Sequence, residues 1–130
     1  MAESAGLHEP EDRLSSGTID RHRALASIQE ELEAVDWYDQ RAEATDDAEL
    51  ASVLAHNRDE EKEHACMTLE WLRRKDPVLD GHLRTYLFTT DPVVAVERAA
   101  EGAEAPGPAP SGSLGIGDLR TSSRNRSIGR

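Results

Sequence analysis

Only three residues, Ala44 to Asp46, connect the two longest helix-period segments of this chain. A link that short forces the flanking helices into an antiparallel hairpin. The first segment runs from a cap at Thr18 to about Glu43. The second opens on Asp46 and Glu49, spaced as a capping box, and runs to about Arg74, where Arg73, Arg74 and Lys75 suit the negative end of the helix dipole. At about 1.5 Å per residue each helix spans roughly 40 Å. Asp76-Pro77 ends the second helix, Val78 to Phe88 reads as a shorter third, and Asp91-Pro92 starts a fourth that reaches about Ala100. The expected fold class is all-α. Two helices bury a single seam, and apolar residues make up only 37% of the 130. The hairpin is therefore expected to need partner chains to complete a core, in a four-helix arrangement.

Charge divides the chain. Residues 1–106 hold 25 acidic and 11 basic side chains, a net of −14, whereas residues 107–130 hold Asp118 and four arginines, a net of +3. An acidic body argues against nucleic acid as a partner, since phosphate binding needs a basic surface. No stretch is long enough to span a membrane, and Met1 to Asp12 lacks the apolar core of a secretory signal, so a cytoplasmic location is the default. One cysteine, Cys66, excludes an intrachain disulfide. There is no Gly-x-Gly-x-x-Gly loop or phosphate loop. The organisation expected is a disordered acidic arm over 1–17, a helical domain over 18–100, a flexible Pro/Gly/Ala linker over 101–112 and a tail over 113–130.

The helices carry carboxylates inside their apolar stripes. Ala24, Ile28, Glu31, Val35 and Tyr38 share one face of the first helix, with Glu30 and Glu33 flanking it. On the second, Leu50, Val53, Leu54, Asn57, Glu61, His64, Thr68, Trp71 and Leu72 form the stripe, with Glu61 and His64 at its two central inward positions. A carboxylate among apolar side chains needs a counter-charge or a metal. Glu61 and His64 form a Glu-x-x-His pair whose spacing lets a carboxylate and an imidazole hold one ion. Glu31 can add an oxygen from the opposite helix. Two carboxylates and an imidazole suit iron or manganese, and zinc stays open. The bland alternatives are a surface pair or a core histidine bonded to a carboxylate. His56 with Glu60, and Glu60 with His64, are rival pairs that leave the stripe. Trp37 and Tyr38 read most simply as core or interface aromatics. Four-helix di-iron sites use two Glu-x-x-His motifs and two further glutamates, so one chain carries half a set and a two-fold dimer supplies the rest.

At these residues the sequence resembles the encapsulated ferritins. The resemblance lies in Arg21–Ala24, Glu30–Arg41, Leu54–His64, Thr68–Arg74 and His82–Phe88, which cover most of residues 20–90. It implies a ferroxidase in which two hairpins pair to rebuild a di-iron centre, with the dimers assembling further into an open ring, usually a decamer. It implies Glu31, Glu61 and His64 from both subunits as iron ligands, with Glu61 bridging. Trp37 and Tyr38 match aromatics beside the centre. Glu30 and Glu33 resemble an acidic metal-uptake site. Ser113-Leu-Gly-Ile-Gly-Asp-Leu-Arg120 looks like the peptide that docks cargo on the inner wall of an encapsulin shell, with Leu114, Ile116 and Leu119 as apolar anchors. The expected location is then an encapsulin nanocompartment in the cytoplasm, with the shell as the iron store and the shell protein as partner. Another ferritin-like di-metal redox activity, or a non-catalytic metal-binding cargo, stands as the alternative.

Overall fold

The computed structural model describes residues 6–104 and, among these, contains helices and no strand. A 3-10 turn at Glu11–Arg13 precedes α1 (Ser16–Ala44), α2 (Ala48–Lys75), α3 (Pro77–Tyr86) and α4 (Val93–Glu104). The all-α expectation holds. The described residues fall into two units, divided between Arg84 and Thr85.

In the first unit, α1 and α2 are 29 and 28 residues long and pack against each other as the expected hairpin. The helix starts differ from the sequence expectation. Ser15, not Thr18, caps α1: its Oγ accepts from the Thr18 N–H at 3.2 Å. Thr18 joins the first turn and accepts from Arg21 Nη2 at 3.1 Å. Ordered structure thus extends into the stretch expected to be a disordered arm. There the Arg13 N–H donates to the Pro10 carbonyl and the Leu14 N–H to that of Glu11. Asp47, not Asp46, caps α2, accepting from the Leu50 N–H at 3.0 Å. Thr45 decides the shift, because its Oγ1 accepts from the Asp47 N–H at 3.2 Å and so turns the chain one residue later.

Only Ala24, Ala65 and Leu72 are buried among the described residues, and none of the three completely. Side chains of this size cannot supply a core for two helices of such length. Leu25, Leu32, Trp37, Leu50, Val53, Met67 and Trp71 all remain exposed. Besides apolar contact, an ion pair from Arg58 Nη1 to Asp39 Oδ1 at 2.8 Å ties α2 to α1. Arg58 is held more firmly protonated than usual by its bonds to Asp59 and then Asp39.

At the end of α2, Asp76 Oδ1 accepts from the N–H groups of Val78 and Leu79 and Pro77 takes the first turn of α3, so α3 starts one residue earlier than expected. Arg73 joins the two helices: it pairs with Glu70 at 2.7 Å within α2 and with Asp80 on α3. Bonds from Arg73, then Arg74, depress the Glu70 carboxyl to about 2, and Arg73 with Arg84 lowers that of Asp80. Carboxyls depressed on folding stabilise the fold above their unfolded values, and the effect is lost as pH falls through the folded ones. The expected result is that the Tm gap between wild type and Arg73→Leu is full near neutral pH and closes as pH falls from 4.5 to about 2. A gap independent of pH in thermal unfolding would show that Arg73 acts only through packing.

In the second unit α3 stops at Tyr86 rather than Phe88, because Phe88 turns left-handed at a φ of 59°. The Thr89 hydroxyl donates to the Tyr86 carbonyl at 2.7 Å across this turn. Pro92 lies just before α4 rather than inside it, its carbonyl accepting from the Val96 N–H at 3.0 Å. The α4 helix continues four residues past Ala100, so Glu101–Glu104, expected as linker, are helical. The rest of that linker and the 113–130 tail lie outside the described residues. No described helix is long and apolar enough to cross a membrane.

Candidate metal centre

The seam between α1 and α2 selects part of each stripe. On α1 it takes Ala24, Ile28, Glu31, Val35 and Tyr38, all buried or half-buried, as the periodicity predicts. On α2 it takes Leu54, Glu61, Ala65, Thr68 and Leu72. Glu61 is therefore partly covered, with 28% of its side chain exposed, but His64 stands at the flank with 49% exposed. This corrects the inward position expected for His64. At about 100° per residue His64 lies roughly 60° to one side of Glu61 and Ala65 roughly 40° to the other, and the partner helix covers the alanine side.

His64 Nδ1 lies 3.6 Å from Glu61 Oε2, beyond hydrogen-bonding distance, so the two groups are neighbours without being locked together. Glu31 presents a different feature. Its Oε2 is buried and has no hydrogen-bond partner among the described residues. An orphaned buried oxygen costs about 1–3 kcal/mol, which a cation or donor from outside the chain would offset. Within one chain, no group of three His, Cys, Asp or Glu side chains among the described residues converges to hold a metal ion. Glu31 is thus not gathered with Glu61 and His64 into a complete site by the hairpin alone.

The remaining expected residues lie around this seam. Glu30 and Glu33 are exposed, and Glu33 borders a shallow groove with Gln29, Leu32 and Asp36. Trp37 is exposed, while Tyr38 is half-buried with Arg41 5.9 Å from its ring centre. The rival pair, His56 Nε2 and Glu60 Oε1, is 3.5 Å apart with both side chains open to solvent. Cys66 is exposed. Leu114, Ile116 and Leu119 lie outside the described residues. Sequence reasoning missed the role of Arg58. Its partner Asp39 is 19 positions away, and only the register of the closed hairpin brings them together.

The pattern that defines the EncFtn-like family matches residues 6–90, the span that contains the 3-10 turn, the hairpin and α3. This is an EncFtn-like protein. An encapsulated ferritin-like protein of Rhodospirillum rubrum is 56% identical, covering 92% of each chain. A ferritin-like protein of Thermotoga maritima is 52% identical over 73% of this chain and 83% of its own. An encapsulin nanocompartment cargo protein of Myxococcus xanthus is 34% identical over 72% of this chain and 79% of its own. The crystal structure of a Nitrosomonas europaea protein, 59% identical, superposes with a TM-score of 0.66 and covers 68% of this chain and 97% of that one. The EncFtn-like hairpin thus accounts for the all-α architecture, and it leaves apolar side chains exposed along its flanks.

Proposed function

We propose that this EncFtn-like protein is a ferroxidase. It would oxidise Fe²⁺ to Fe³⁺ at a di-iron centre shared between two copies of the chain and supply iron for mineral storage inside an encapsulin shell. The observation that carries this reading is the buried, unpartnered Glu31 Oε2 on α1, the helix that packs against the α2 helix carrying Glu61 and His64. A two-fold dimer doubles the set to four carboxylates and two imidazoles, the composition of a ferritin-like di-iron site. The exposed Leu50, Val53 and Trp71, on the same flank of α2 as His64, offer the apolar surface such a dimer needs.

In this reading Glu31 and His64 bind ferrous substrate terminally and Glu61 bridges the two ions. The anionic carboxylates favour the ferric state over the ferrous one, which lowers the cost of removing an electron from each ion. Dioxygen, or a reduced oxygen species, accepts the pair with protons from water. Glu30 and Glu33, exposed beside the seam, raise the local Fe²⁺ concentration. Trp37 and Tyr38 flank the centre. Further dimers assemble into a ring, with ten chains as the expected number. Ser113–Arg120 directs that ring to the shell, in the cytoplasm, where the mineral accumulates.

Activity should depend on assembly. A monomer holds half of the ligands, so its iron oxidation should be slight, while dimers and larger species turn over. Rates measured on size-separated fractions of known mass check this. A monomeric fraction with full activity per chain would exclude a shared centre. Iron binding without aerobic turnover in every oligomer would instead identify a metal-binding cargo.

A further inference from the structure

The second unit carries an apolar corner that the metal chemistry does not use. Phe88 sits at a φ of 59° with its ring wholly in solvent. A bulky side chain avoids that backbone region, and such an outlier points to a local role. After it, Val93 and Val94 are exposed at the start of α4 and, with Tyr86 and Glu97, line a shallow groove of about 260 Å³. The groove has room for a few aliphatic side chains. Its four lining residues are far fewer than the roughly 20–30 a side of a stable protein interface, which argues for a short peptide over a second copy.

We infer that the segment Ser113–Arg120 of the same chain docks in this groove. The chain leaves α4 at Glu104, and the ten residues to Leu114 reach about 33 Å when extended. The helix from Val93 to Glu104 is only about 18 Å long. The segment can therefore fold back along α4 with slack, at the millimolar effective concentration that a short tether gives. Leu114, Ile116 and Leu119 supply aliphatic anchors at close spacing, and Arg120 brings a positive charge to a groove edged by Glu97. The consequence, which rests on the proposed role of this peptide in shell docking, is competition. Body and shell bind the same anchors, so the peptide is held in until a shell with many sites draws it out.

Cysteine pairs in the full chain test the contact. In a Cys66→Ser background, Val94→Cys with Ile116→Cys is compared with Ala99→Cys and Ile116→Cys. Ala99 is exposed on the same helix but lies about 140° round from Val94. The intrachain disulfide to position 94 is expected to form about tenfold faster, the factor that about 1.4 kcal/mol of docking provides. Adding Glu97→Lys should slow it toward the rate at position 99. Equal rates at both positions, or disulfides found only between chains in a mixture of isotope-labelled and unlabelled protein, would overturn the inference. Shell loading is scored separately: a chain that cross-links as expected yet fails to load would discredit the targeting role and leave the contact standing.

Discussion

Glu61→Ala should reduce ferroxidase turnover on the order of 10²-fold or more, the largest loss among single substitutions. Even a residue that merely orients a metal ligand is worth about 10- to 100-fold. In the proposed shared centre Glu61 would itself be a ligand, contributed by each of the two chains, so its loss should cost more. His64→Ala and Glu31→Ala should each remove most of the turnover as well. The three differ in their effect on stability, which separates lost chemistry from lost folding. Glu61 and Glu31 lie along the seam, whereas His64 is half-exposed at its flank and its removal should leave the Tm unchanged. Glu31→Ala deletes a buried oxygen with no described partner, so without iron its Tm should equal or exceed that of wild type. Aerobic Fe²⁺ oxidation followed by absorbance, with thermal unfolding of the same iron-free samples, gives both readouts. Wild-type turnover in a folded Glu61→Ala dimer would remove the basis for the di-iron assignment.

Truncation after Gly112 should abolish loading into a co-expressed shell, while the ring and its ferroxidase rate remain nearly unchanged. The reason is a physical division within the chain. The proposed ligands, the caps of α1 and α2 and the seam all lie between Ser15 and Asp76, and the three proposed apolar anchors lie beyond residue 112. One short peptide binds weakly, but many copies on one ring bind together, so removing every copy removes the avidity as well as the contact. Truncation after Arg120 should preserve loading, because Thr121–Arg130 lies past the anchors. Co-purification of cargo with shell, quantified by mass spectrometry, measures both outcomes. Full loading of the chain that ends at Gly112 would mean that the helical body carries the address.

The sequence by itself determined the hairpin. A three-residue connection between two long helix-period segments leaves no other packing, and the α1 face it implied, from Ala24 to Tyr38, is the one that the structure buries. It also made Glu61 and His64 neighbours, since three residues on a helix place two side chains together whatever surrounds them. It did not determine which part of the α2 stripe the partner helix covers. A stripe that wide can be covered on either flank, and the crossing of the two helices decides. The structure sets Ala65 and Leu72 in the seam and leaves His64 and Trp71 outside. Cap positions shifted for a similar reason: several Ser, Thr and Asp residues compete within one turn, and Thr45 settled the second contest by bonding the Asp47 N–H. The Arg58–Asp39 bridge and the Arg73 link to Asp80 were legible only after the helices closed, because charge pairs distant in sequence have no periodicity to reveal them. Tertiary structure also exposed the unpartnered oxygen of Glu31. A pattern of residue types shows that a carboxylate lies in an apolar stripe, but only packing shows whether anything meets it there.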